Sequence, residues 1–147
     1  MRFGEGLANP YGDGEVTVWY HPVCAAYRRP EPLLQALASQ EEAFEDAALL
    51  RRIAEHSLAH RRLCRIGGVE RATSGRARCR SCRELIGRDT LRIPLLFHEE
   101  GMYNASGFVH LSCAPVYFQT GDLLDCIRHF TPALEGDDLL EVEKALG

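Results

Sequence analysis

Two pairs of residues in this 147-residue chain have the types and the spacing to hold a metal ion. Cys79 and Cys82 are separated by two residues, and so are His110 and Cys113. Cysteines at that spacing on a tight turn direct both sulfurs at one ion, and the histidine pair completes a tetrahedron. Three thiolates and an imidazole are a zinc donor set, and four protein ligands leave no coordination position for water or substrate. One structural zinc is therefore expected. The competing explanation, buried free cysteines beside an incidental histidine, requires two matched spacings to coincide. No catalytic constellation is recognisable elsewhere, so no catalytic residue is assigned and an enzyme is not expected.

The other cysteines and histidines are less ordered in pattern. His21 and Cys24 repeat the spacing of the second pair, but no Cys-x2-Cys precedes them. His56, His60 and Cys64 lie at i, i+4 and i+8, with the outer two about 12 Å apart along a helix axis, too far for one ion to take all three. His21 and Cys24 either join His60 and Cys64 in a second zinc site or are the vestige of one. Cys126, set among Leu123, Leu124 and Ile127, reads as core.

Charge is segregated. From Arg51 to Arg92 there are twelve arginines against four acids, a local balance of +8, within a chain of net charge −4. The remainder, five basic and seventeen acidic residues, carries −12. A basic middle between acidic ends is the pattern of a local polyanion site, or more plainly of a solvated charged face. Lys144 is the only lysine among the seventeen basic residues. Arginine suits phosphate oxygens through its planar fork, although a GC-rich genome, such as that of a high-GC bacterium, also favours arginine codons. No apolar run reaches the roughly 20 residues that span a bilayer. The amino terminus lacks the apolar stretch of a signal peptide, so the expected location is cytoplasmic, nucleoid-associated in a bacterium or nuclear in a eukaryote. Six cysteines in such a chain favour metal over disulfides.

The elements that must position these groups read as α+β. Residues 15–20 form a strand after a turn cluster at 10–14. A helical pattern runs from Glu31, with Ala43, Ala47, Leu50, Ala54 and Leu58 on one stripe, and ends near Arg65 before Gly67-Gly68. Asp89 to Phe97 is a strand, 99–107 a hairpin-like loop, and Phe108-Val109 a short strand. Helices are expected over about 121–130 and 137–146. Three regions follow: a partial finger-like copy at 1–30, a helical connector at 31–70, and a complete finger with a helical tail at 71–147. The partial copy is an internal repeat. Met1-Arg2 with His21-x2-Cys24 echoes Leu91-Arg92 with His110-x2-Cys113, the arginine-to-histidine separations being 19 and 18 residues.

The stretch SGRARCRSCRELIGRDTLRI, followed by GFVHLSC, resembles the zinc fingers at the amino terminus of poly(ADP-ribose) polymerase, a finger also found in one eukaryotic DNA ligase. The likeness covers about residues 73–147, and residues 1–27 resemble half of the same unit. Fingers of that family bind DNA breaks, nicks and ends without reading sequence. The resemblance implies a compact zinc-stabilised β-ribbon with flanking helices, and no polymerase activity, since the catalytic domain is not present.

Carried onto this chain, the resemblance assigns phosphate contacts to Arg76 and Arg92, with Arg78 beside the first. It assigns stacking on exposed bases to Met102 and Tyr103 in a loop one residue shorter than the family's. Glu99 and Glu100 in that loop, and Phe108-Val109 where the family has tryptophan and tyrosine, are departures. The resulting expectation is a DNA-break-binding zinc protein that uses backbone charge and base stacking. The alternative is a zinc-scaffolded protein-interaction module that docks a partner through its acidic helical tail.

Overall fold

The computed structural model describes residues 3–8, 15–99 and 101–146. The fold is α+β, with six α-helices and five strands among the described residues. The strands are β1 (Phe3–Ala8), β2 (Glu15–Tyr20), β3 (Glu70–Arg71), β4 (Leu91–Glu99) and β5 (Met102–His110). The helices are α1 (Pro22–Arg28), α2 (Pro30–Gln40), α3 (Ala47–Ala59), α4 (Ala114–Phe118), α5 (Leu124–Phe130) and α6 (Gly136–Leu146). The chain divides into two compact units. Unit 1 comprises Met1–Cys64 with His98–Tyr103, and unit 2 comprises Arg65–Phe97 with Asn104–Gly147.

In unit 1, β1 and β2 pair antiparallel, from Phe3 opposite Tyr20 to Ala8 opposite Glu15. The expected strand at 15–20 is present, while β1 has no strand pattern in the sequence because its two glycines blur any alternation. The turn cluster expected at 10–14 lies outside the described residues. Proline sets the helix boundaries that follow. Pro22 opens α1, and Pro30 disfavours a helical Arg29 (φ −133°, ψ 63°), so α1 stops there and α2 begins.

The helical run expected from Glu31 to Arg65 is broken. A 3-10 turn at Glu41–Ala43 leads to an extended Phe44 and to Asp46 in the left-handed region at φ 55°, before α3 starts. Aspartate tolerates that conformation better than most residues. The apolar stripe survives only beyond the break: Ala43 is exposed, whereas Leu50 and Ala54 are buried in a cluster with Phe3, Tyr20, Ala25, Ala26, Leu33 and Leu37. Tyr20 thus shares a core cluster with Leu50 and Ala54 of α3.

In unit 2 the sheet order is β3-β4-β5, antiparallel, with Glu70 opposite Arg92. The expected loop at 99–107 is mostly strand, because Gly101 (φ 79°) provides a tight turn and β5 runs from Met102. Ile66, Ile86, Ile93, Leu95, Val109, Phe118, Leu123 and Ile127 are fully buried. Cys126 is buried as expected. Helix α6 packs against the 3-10 turn Leu111–Cys113 and buries Val142. No helix among the described residues is long and apolar enough to cross a membrane.

Candidate metal centre

The first cysteine pair sits on a knuckle closed by its own backbone. Cys79 N–H donates to the Glu84 carbonyl and Arg83 N–H donates back to the Cys79 carbonyl, both at 2.9 Å. Arg83 closes the turn in the left-handed region, at φ 70°. The knuckle is tied to β5, since Arg80 N–H donates to the Phe108 carbonyl at 2.9 Å. Strand β5 thereby delivers His110 to the cysteines.

His110 then heads the turn that carries Cys113. Its backbone is extended (φ −57°, ψ 145°), and Leu111–Cys113 winds directly into α4. In unit 1, His21 has nearly the same conformation (φ −65°, ψ 144°) at the head of α1, after the β1–β2 pair. The repeated His-x2-Cys segment therefore adopts the same local structure twice: a strand pair, an extended histidine, a helical turn.

The donor atoms of Cys79, Cys82, His110 and Cys113 all lie within 4.8 Å of one another. His110 Nδ1 is 3.3 Å from Cys82 Sγ and 3.7 Å from Cys113 Sγ. Metal bonds of about 2.3 Å to sulfur and 2.05 Å to nitrogen place neighbouring donors about 3.6 Å apart in a tetrahedron. The spacing fits one four-coordinate ion ligated through Nδ1. The other ring nitrogen, Nε2, lies 3.0 Å from the Leu85 carbonyl, so with the metal on Nδ1 it carries the proton and donates there. That contact fixes both tautomer and ring plane.

The chain matches no family model and no curated protein.

The electrostatics of the centre favour a bound cation. Burial alone pushes the Cys79 thiol up, but the backbone N–H groups of Cys82, His110 and Ser81 outweigh it and hold the thiol below its ordinary value. Two of those N–H groups, from Ser81 and His110, point at Cys79 Sγ from 3.3 Å. Cys113 is pushed up, first by burial and then by the charge on Cys79. Three sulfurs this close cannot all ionise without a cation between them, and metal uptake must release protons.

The arginines separate into two kinds. Arg76, Arg78, Arg80, Arg83 and Arg88 are exposed. Arg92 is not: it is 5% exposed, its guanidinium lies 3.5 Å from the centre of the Phe108 ring, and Glu70 stands 3.8 Å from Nε. The phosphate contact expected at Arg92 thus falls on a packed arginine, because β4 turns that position into the core.

The stacking pair separates in the same way. Met102 is 42% exposed. Tyr103 instead packs against the unit 1 core, its hydroxyl 3.5 Å from that of Tyr20, its ring 4.8 Å from His98 and beneath the Arg28 guanidinium at 5.6 Å. Tyr103 is thus a packing residue and not a free loop side chain.

Among the described residues, the Cys79, Cys82, His110 and Cys113 group is the one place where three or more such donors converge. His21, Cys24, His60 and Cys64 do not assemble a second. Cys64 Sγ donates to the Arg61 carbonyl at 3.1 Å, and the His60 ring lies 4.7 Å from that of His56. Two contributors had no signal in the sequence. One is the Leu85 carbonyl, a backbone group. The other is Gly107 (φ 99°), where a Cβ would stand 2.5 Å from Arg80 Nε, so that the missing side chain lets Arg80 lie across β5.

Proposed function

We propose that this chain is a zinc protein that binds DNA breaks, nicks or ends through phosphate contacts and base stacking, without reading sequence. The observation that carries the reading is the set of five exposed arginines, Arg76, Arg78, Arg80, Arg83 and Arg88, on and around the knuckle of the metal centre. Cys79, Cys82, His110 and Cys113 would hold the zinc, whose part is to cross-link the knuckle to the β5 end and so fix those arginines in place. A closed Cys3His set favours a structural ion over a catalytic one. Arg78 is partly pre-positioned, since its Nη1 donates to the Arg83 carbonyl at 3.1 Å. Arginine forks held on a rigid turn suit phosphate oxygens. Met102, 42% exposed, is the side chain proposed to cover an unstacked base. The resemblance to poly(ADP-ribose) polymerase fingers agrees with this arrangement in its ligands and in Arg76.

The test is fluorescence anisotropy with gapped, blunt-ended and closed circular DNA of one sequence, at two salt concentrations. Gapped or ended DNA should bind more tightly than the closed circle, and binding should fall steeply with salt. Equal binding to all three, or indifference to salt, rejects the reading.

One observation favours the alternative of a protein-interaction module. Helix α6 leaves Leu140 62% exposed between acidic residues. However, two of its acids, Asp138 and Glu141, pair with Arg71 at the surface. Those two acids are therefore already engaged within unit 2, and the exposed arginines around the knuckle favour DNA over a protein partner at α6.

A further inference from the structure

Unit 1 contains a cleft that the metal centre does not use. It encloses about 290 Å³ between the start of α2 and the end of α3. That is at the low end of the roughly 300–1,000 Å³ typical of small-molecule sites, which limits an occupant to about one nucleotide. Arg28, Arg29 and Arg61 line it, together with the apolar Pro32 and Leu58, and Glu31.

Two of the guanidiniums are held in place by other groups of unit 1. Arg28 is nine-tenths buried and its Nη1 donates to the Cys64 carbonyl at 2.8 Å. Arg29 grips the Glu5 carboxylate with two bonds, the Nε one at 2.7 Å. Arg61 is exposed, and its guanidinium makes no ion pair or hydrogen bond among the described residues. A planar fork presents five donors, so an arginine without a partner at the mouth of a cationic cleft is suited to clamp an anion.

The start of α2 adds little to this, because prolines at positions 30 and 32 remove two of its first backbone donors. The arginines carry the site. Glu31 narrows the choice of ligand. A carboxylate beside the arginines disfavours a bare anion and favours one that also brings hydrogen-bond donors, as a sugar does. Pro32 and Leu58 provide apolar surface for a flat ring.

We propose that this cleft binds a nucleoside monophosphate group, with Arg61 clamping its phosphate monoester. The group is either a free nucleotide or the 5′-terminal nucleotide of a DNA strand, and the proposal does not depend on the role of the metal centre.

The experiment uses the full chain with its metal, at low salt. Adenosine monophosphate, adenosine and inorganic phosphate are titrated by calorimetry. In a second arm, a blunt duplex with a 5′-phosphate is compared with the same duplex bearing a 5′-hydroxyl. Binding of the monophosphate but not of adenosine, or a preference for the phosphorylated end, supports the site and identifies the source of the ligand. In either case Arg61→Gln should weaken phosphate-dependent binding at least about tenfold, and Arg61→Lys should restore part of it. Arg61 is exposed, so both variants are expected to fold. No phosphate-dependent binding in either arm, or phosphate-dependent binding that Arg61→Gln leaves unchanged, overturns the proposal. Break binding that persists in Arg61→Gln without any 5′-phosphate preference would reject the cleft while leaving the DNA reading of the metal centre intact.

Discussion

The guanidinium of Arg92 lies over the ring of Phe108, 3.5 Å from its centre, with only 7% of its side chain exposed. The contact joins the middle strand of unit 2 to the strand that delivers His110. A desolvated arginine on an aromatic face contributes about 2 kcal/mol, and its alkyl stem adds packing. Arg92→Ala should therefore destabilise unit 2 by about 2 kcal/mol or more in chemical denaturation. Arg92→Met keeps the volume and removes the buried Nε that has no hydrogen-bond partner, so it should cost less. An Arg92→Ala protein with unchanged stability would return the residue to the surface role the sequence suggested.

The metal centre should hold unit 2 together. Structural zinc sites contribute about 10–16 kcal/mol of apparent binding energy in small finger peptides, more than such domains can lose and remain folded. Cys113→Ala, or a strong chelator, should abolish protection from hydrogen exchange across residues 65–97 and 104–146. Native mass spectrometry should count one metal per chain. Two metals per chain, or a Cys113→Ala protein that keeps full protection, would contradict the centre described here.

Arg76 and Arg78 should set the salt dependence of DNA binding. Each phosphate contact contributes about −0.9 to the slope of log K against log salt on duplex DNA, so the pair contributes about −1.8. Arg76→Ala should shallow the slope by about one unit for every sequence tested, with a change in stability within about 0.5 kcal/mol. Anisotropy titrations across a salt series decide this. A slope insensitive to both arginines would shift the reading toward a protein partner at α6.

Alkali should loosen unit 1 through its tyrosine pair. Burial first, and then the neighbouring Tyr20, pushes the Tyr103 hydroxyl above its ordinary value of 10.0, and burial does the same to Tyr20. In the unfolded chain both ionise near pH 10. Below that pH both states are neutral and the stabilisation is complete. As pH rises above it, the unfolded chain loses protons that the folded one keeps, and stability falls toward the raised folded values. Urea denaturation between pH 8 and pH 11 should show this decline, less steeply in Tyr103→Phe. Identical curves for the variant and the parent would remove Tyr103 from the cause.

The candidate metal centre was legible in local pattern alone. Cys-x2-Cys and His-x2-Cys are local patterns, and a tight turn or the head of a helix needs only a few neighbouring residues to aim its donors. The same locality made β2, the helices at the end of the chain and the repeat of His21 on His110 legible. The break before α3 was not, because Ala43, Ala47 and Leu50 keep a helical spacing across it, and Asp46 in the left-handed region leaves no mark on the pattern. What the arginines and Tyr103 do was decided only by tertiary structure. An arginine at the second position of a strand reads the same whether it faces water or Phe108. A hairpin tip reads as a free loop until Tyr20, 83 positions away, meets its tyrosine. Contacts of that range depend on how strands and helices close on one another, and side-chain type alone carries no record of which face is turned inward.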